Sequence, residues 1–261
     1  MLINTVLLFL RDALPIFVAI TILLSLLQKQ AIQYSWVFTA VAIGIGLSFI
    51  LLLTGDELSR LLNDTGREWL YAVLYFICYC LSLVILGKSL IQRQFIKYCA
   101  ITVVAIILLL NGGNFLIYIT GFWHQNNASN VLMTGVILGV GICGSIAVLV
   151  YFLIDYIEPY FRWFGQVLLA FFSTGLLMQA SNLLLQIDIL SSGNMLWDSN
   201  NIIIENSELG HLLTVFLGYD ATPTFMQIYL YLCALAIALV LIIFTEKIGK
   251  KYEKNNNQEA L

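Results

Sequence analysis

Seven long apolar segments dominate this sequence and constrain its fold more than any other feature. An α-helix rises about 1.5 Å per residue, so roughly 20 consecutive apolar residues cross the hydrocarbon core of a bilayer. Runs of this length favour helices, which satisfy their own backbone hydrogen bonds in lipid. The sequence therefore predicts an all-α integral membrane protein with seven transmembrane helices. The segments cover about 2–27, 36–54, 68–87, 98–121, 131–154, 164–187 and 225–245.

The composition excludes a soluble fold. Apolar residues make up 61% of the 261 residues, charged residues only 10%, and the mean hydropathy is +0.92. Soluble domains carry about 25% charged residues, so this chain has too few to cover its surface. A net charge of −3 offers no basic surface for phosphate backbones. We expect the lipid bilayer as the environment and no nucleic-acid partner.

No sequence pattern typical of an enzyme or of a permanently bound cofactor is present. The chain contains no Walker loop, no HExxH and no nucleophile with a nearby base, which favours a transporter over an enzyme. All five cysteines lie in apolar segments, where a thiol packs like a small hydrophobic side chain. These cysteines are Cys78, Cys80, Cys99, Cys143 and Cys233.

The distribution of charge predicts the orientation. With the N-terminus outside, nine lysines and arginines fall on the cytoplasmic side and two outside, as the positive-inside rule requires. We expect a multi-pass protein of the cytoplasmic (inner) or plasma membrane, with its C-terminus inside. Acidic residues then crowd the external loops and raise the local cation concentration. The candidates include Asp56, Glu57, Asp198, Glu205 and Glu208, and Glu68 is assigned to the same external side.

The chain divides into a seven-span domain, 1–245, and a cytoplasmic tail, 246–261, which we expect to be disordered. The longest connection, about 188–224, is predicted to be external. It contains Trp197, Gly218 and Pro223, which are typical of a packed structure rather than of a linker.

Arg11 and Asp12 lie within the first span, where a charge costs roughly 2.5–3.5 kcal/mol and marks a candidate functional site. Adjacent positions of a helix do not face each other, so we expect each to find a partner elsewhere. Pro15 follows one turn later and frees a backbone carbonyl. Functional and structural roles, the latter joining helices, both remain open.

The fourth span contains two amides, Asn111 and Asn114, separated by two glycines. Their spacing places both on one face of a helix, and the glycines allow another backbone to come close. The pair either joins helices by hydrogen bonds or lines a transport pathway.

Two further spans carry polar side chains. Tyr71, Tyr75 and Tyr79 form a stripe on the third span that we interpret as core packing. The polar content of the sixth span predicts a water-facing or interior side. His211 falls in the external connection, with no ligand set around it in sequence.

The chain resembles the bacterial ferrous iron permeases and the fungal ferroxidase-coupled high-affinity iron permeases. Segment 7–14 (LLFLRDAL) is similar to their first Arg-Glu-x-x-Glu motif, and segment 110–114 (LNGGN) lies at the place of the second. The most specific match, within 196–227, is similar to the external loop and seventh-helix entry of the bacterial branch. The resemblance covers essentially the whole chain.

The resemblance implies two inverted three-helix repeats plus a seventh helix, with motif glutamates that pass iron inward. Iron is then the substrate rather than a bound cofactor, delivered by an oxidase or a periplasmic iron-delivery protein, and an oligomer is compatible with it.

The motifs depart from the family pattern at their acids. Arg11 is kept in the first motif, but the four acid positions hold Asp12, Pro15, Asn111 and Asn114. Amide oxygens coordinate a cation without compensating its charge, which argues against a bare trivalent ion. Three functions therefore remain open: a divergent permease for iron or another cation, a transporter of a different solute, and a non-transporting structural or regulatory subunit.

Overall fold

A computed structural model shows eight helices in the parts of the chain that it describes. The described parts also contain one isolated β-bridge and no strand. The described residues are 2–29, 32–60, 65–87, 92–123, 128–190, 195–204 and 207–259. The helices are α1 (Leu2–Gln28), α2 (Ser35–Ser59), α3 (Gly66–Leu86), α4 (Arg93–Trp123), α5 (Ala128–Ile157), α6 (Phe164–Gln186), α7 (Glu208–Leu217) and α8 (Phe225–Glu259).

Seven of these helices, all except α7, contain segments long and apolar enough to cross a membrane. The predicted all-α, seven-span class is therefore confirmed. Most of the surface of α2, α5 and α8 is apolar and turned away from the bundle, whereas α4 and α6 are largely enclosed. Side chains of this kind require an apolar environment around α2, α5 and α8, as a lipid bilayer provides.

The first three and the next three helices pack as two equivalent sets. α1 lies along α5, α2 lies along α4, and α3 pairs with α6. Exchanging α1–α3 with α4–α6 converts the first contact into the second and leaves the third unchanged. Because three spans end on the opposite side of the membrane, the second set is inverted relative to the first. This pairing is that of two inverted three-helix repeats followed by α8.

Short side chains set the distance between α2 and α4. A Cβ added to Gly44 would lie 2.9 Å from the Cβ of Leu108. Ser48 is buried and its hydroxyl donates to the carbonyl of Gly44 at 2.9 Å and across to that of Leu108 at 3.2 Å. A buried serine whose hydroxyl is satisfied in this way costs little at the helix interface.

The connection between α6 and α8 is a packed structure, as predicted for its described residues 188–190, 195–204 and 207–224. The hydroxyls of Ser199 and Tyr219 lie 2.7 Å apart, and Tyr219 also donates to the carbonyl of Ile203 at 3.0 Å. Ser207 caps α7 by accepting from the amide of Gly210 at 3.1 Å.

Part of the connection packs into the helix bundle. Gly218 ends α7 in the left-handed region, with a φ of 69°, and lies against Gly175, the central residue of α6. A Cβ on Gly175 would stand 3.1 Å from the Cα of Gly218. Two residues without side chains allow this approach, so α7 reaches the middle of the bundle.

The last helix, α8, continues beyond the last apolar turn to Glu259. A helix that is already nucleated extends at low cost through residues of good helix propensity. The tail has such residues, mainly lysine and glutamate, and no proline.

The approach of Gly218 to α6 predicts different outcomes for two glycine-to-alanine changes inside helices. Gly175→Ala should destabilise the protein by about 1–2 kcal/mol, because the added methyl meets backbone atoms. Gly141→Ala, on α5, meets nothing within 4 Å and should leave stability unchanged or slightly raised. Apparent Tm in detergent measures both, and equal values for the two variants would contradict the close contact.

Candidate functional site

Asp12 is the one buried carboxylate among the described residues of the first span, with 5% of its surface exposed. Arg11 donates from Nε to Asp12 Oδ1 at 2.8 Å and from Nη2 to Oδ2 at 3.4 Å. The expectation that these neighbours cannot pair was therefore wrong. The Cβ atoms diverge, but the long arginine side chain folds back over the carboxylate. α1 continues unbroken through Pro15.

A polar cavity of about 340 Å³ lies between α3, α4 and α6. It occupies the half of the bundle nearer the α6–α8 connection, because α3 begins and α6 ends at that side. Amide, phenol and charged side chains form most of its wall. They are Arg67, Glu68, Tyr71, Tyr75, Asn111, Gln179, Asn182 and Gln186, together with Leu110 and Leu183.

Helical spacing explains how two facing helices supply this wall. Glu68, Tyr71 and Tyr75 follow each other at three and four residues on α3, so they share one face. On α6 the same spacing places Gln179, Asn182 and Gln186 on one face. The polar content of this span predicts such an interior side but does not identify all three residues. The tyrosine stripe was interpreted as packing, but Tyr71 and Tyr75 line the cavity.

Tyr79, the third member of the stripe, has the structural role. It is buried, and its hydroxyl donates to the carbonyl of Ala234 on α8 at 2.9 Å. Tyr75 differs from Tyr79 because it shares the cavity with polar residues of α6. A single sequence does not show which residues of two helices face each other, so it does not distinguish the two tyrosines.

A second cavity, of about 500 Å³, lies between α1, α2 and α4 and is largely apolar. Asp12, Ser48, Asn111 and Gly112 belong to its wall, but nearly all of the surface that faces the cavity is apolar. Asn111 therefore lines both cavities, and Asp12 lies in the second. Two of the predicted pathway residues, from different helices, are brought to one site.

The amide of Asn111 is oriented by its own helix. Its Nδ2 donates to the carbonyl of Ile107 at 2.8 Å, which leaves Oδ1 as the atom available to a ligand. An oxygen in this position suits a hard cation or a hydrogen-bond donor. The side chain of Asn114 lies outside the described residues, so its place beside Asn111 stays a prediction.

None of the five candidate external acids that the structure describes lines either cavity, whereas Glu68, from the same side, lines the polar one. Glu57 is exposed at the end of α2, and Asp198 is exposed and accepts from the amide of Asn200 at 2.9 Å. Glu205 and the side chains of Asp56 and Glu208 lie outside the described residues. Among described residues, no group of three histidines, cysteines or acids forms a metal cluster.

A hydrogen-bond network fastens the start of α8 to the polar cavity. Gln227 is buried, its Nε2 donates to Asn182 and, at 3.3 Å, to Asp220, and its Oε1 accepts from the amide of Thr224 at 2.7 Å. Asn182 lines the cavity, so a movement of the α7–α8 turn would alter the cavity wall.

His211, which sequence reasoning set aside, lies close enough to Arg11 and Asp12 to be affected by both charges. α7 brings it there by packing against α1. Partial burial, reinforced by the Arg11 charge, lowers the pKa of His211 below its ordinary value, and Asp12 opposes this shift. No local sequence signal predicts the contact, since the residues are two hundred positions apart.

No family model, no curated protein and no solved structure matches this chain. The iron-permease resemblance therefore stands as an interpretation of the quoted segments.

The lowered pKa of His211 predicts that acid destabilises the fold. The unfolded chain binds a proton at His211 near its ordinary pKa of about 6.5, whereas the folded protein binds it only at lower pH. Stability should therefore fall as pH drops through that window, and His211→Gln should reduce the fall. Apparent Tm between about pH 7.5 and about pH 5.5 measures this.

The matched control is His124→Gln, which changes the only other histidine, outside the described residues. It should retain the wild-type pH dependence. An identical fall in wild type and His211→Gln would show that His211 does not contribute.

Proposed function

We propose that this chain is a multi-pass membrane transporter that moves a cation, with iron as the first candidate. The observation that carries the proposal is that Asn111 lines both cavities. In the proposed path a solute that enters the polar cavity meets Asn111 and passes on toward the second cavity, whose wall includes Asp12. Intramembrane carboxylates in such a position are typical of ion pathways.

The chemistry of the wall supports a cation of low charge. Carboxylate, amide and phenol oxygens are ligands for hard cations, and the described wall offers no thiolate. Arg11 already neutralises Asp12, so little negative charge remains to compensate a trivalent ion. We therefore propose ferrous iron or another mono- or divalent cation rather than ferric iron.

The predicted orientation becomes part of this proposal. With the N-terminus outside, the polar cavity faces the exterior of the cytoplasmic or plasma membrane, together with the α6–α8 connection. A protein that delivers iron, such as an oxidase or a periplasmic binding protein, would then meet the chain at that connection.

Uptake into proteoliposomes tests the role of Asp12. Asp12→Asn should reduce saturable uptake of ferrous iron roughly tenfold or more, because a contact with a charged group contributes about 1.5–3 kcal/mol. Asp198→Asn makes the same change at an exposed loop position and should retain uptake. Flux in Asp12→Asn equal to that of wild type would remove Asp12 from the pathway.

A second candidate function is transport of an uncharged, hydrogen-bonding solute. The observation that favours it is the amide- and phenol-rich wall of the polar cavity. Asn111→Glu with Asn114→Glu separates the two functions. Higher iron uptake in this double variant would support the cation transporter, whereas folded protein without any cation flux would favour the second candidate or a non-transporting subunit.

Labelling from either side of the membrane tests the proposed orientation. Ile202, in the α6–α8 connection, and Tyr160, between α5 and α6, are 84% and 83% exposed, so accessibility alone does not distinguish them. A membrane-impermeant maleimide should label Ile202→Cys in intact cells. It should label Tyr160→Cys only after the cells are permeabilised. The reverse pattern would invert the orientation.

A further inference from the structure

Glu68 has an unusual environment in the polar cavity. Its Oε2 is shielded from solvent and accepts no hydrogen bond from any described residue. A carboxylate oxygen that loses water without gaining a partner is costly, and native proteins rarely retain one without a function. The group therefore calls for a ligand.

The neighbouring arginine does not satisfy this oxygen. Arg67 Nη2 donates to the hydroxyl of Tyr71 at 3.2 Å, and its guanidinium carbon lies 5.2 Å from the centre of the Tyr71 ring. The contrast with α1 is informative, because there Arg11 folds onto the acid that follows it. Each arginine directly precedes an acid in the sequence, but only Arg11 forms a salt bridge with that acid, whereas Glu68 keeps an oxygen without a hydrogen bond.

The surroundings of Glu68 contain further oxygen ligands. Tyr71 and Tyr75 follow it on the same face of α3, and the side-chain amides of Gln179 and Gln186 stand opposite on α6. Asn111 lies on the α4 wall and leads to Asp12.

We propose that Glu68 is the principal ligand of a cation-binding site in the polar cavity, for a divalent cation that prefers oxygen ligands. The inference rests on the proposed transport function and adds its entry site. Glu68 would supply this pathway with a carboxylate from α3. Of the four motif positions that hold acids in the iron permeases, only Asp12 is acidic in this chain. Glu68 was interpreted from the sequence only as one more acid of the external surface.

Equilibrium binding of Mn²⁺ to the full-length protein in nanodiscs tests this site without requiring transport. Glu68→Gln should weaken Mn²⁺ binding about tenfold or more, because it removes the charged ligand. Glu57→Gln, the same change at an exposed acid on α2, should leave the affinity within about twofold of wild type. Apparent Tm and size-exclusion profiles verify that each variant is folded.

Glu68→Asp provides a second variant in case Glu68→Gln does not fold. It keeps the charge but withdraws the oxygens by one methylene, so it should bind Mn²⁺ more weakly than wild type at an unchanged Tm. Wild-type affinity in a folded Glu68→Gln, or no Mn²⁺ binding by the wild-type protein, would overturn the proposal.

The two proposals fail in different ways. Glu68-dependent binding with no flux in any variant would keep the site and reject transport. Flux that depends on Asp12 and is unaffected in Glu68→Gln, together with unchanged Mn²⁺ affinity, would keep transport and reject the site.

Discussion

Lipid offers no hydrogen bonds, and this constraint organises the whole molecule. Backbone groups are satisfied within helices, and polar side chains must turn toward one another or toward an internal cavity. The consequence is visible on α3 and α6, whose polar residues face the same space, while α2, α5 and α8 present apolar side chains to the bilayer. The concentration of polar groups at one place is therefore a direct result of their exclusion from everywhere else.

Within that interior, the acids Asp12 and Glu68 each follow an arginine in the sequence but differ in how their charge is compensated. Arg11 and Asp12 form a closed pair at the second cavity, which lowers the cost of a buried carboxylate. Arg67 interacts with Tyr71 instead, so Glu68 keeps an oxygen that no described residue bonds. Asn111 lines both cavities, and its neutral oxygen is left without a hydrogen bond from its own helix and adds no charge that the membrane would penalise.

The connection before α8 is part of the bundle rather than an external appendage. The contact between Gly218 and Gly175 admits α7 to the centre of α6, and this position brings His211 toward the Arg11–Asp12 pair. Gln227 then fastens the following turn to Asn182 in the cavity wall. The segment that first suggests a surface loop thus reaches both parts of the proposed pathway.

The sequence by itself determined the solvent, the seven spans and the presence of costly polar residues at Asp12 and Asn111, because these follow from local composition and helical spacing. It did not determine that Arg11 folds onto Asp12, that Tyr75 lines a cavity while Tyr79 packs, or that Glu68 lies inside. Those outcomes depend on which helix stands opposite, a contact between residues far apart in the chain. Only the tertiary structure decided them, since burial and pairing are properties of neighbours in space.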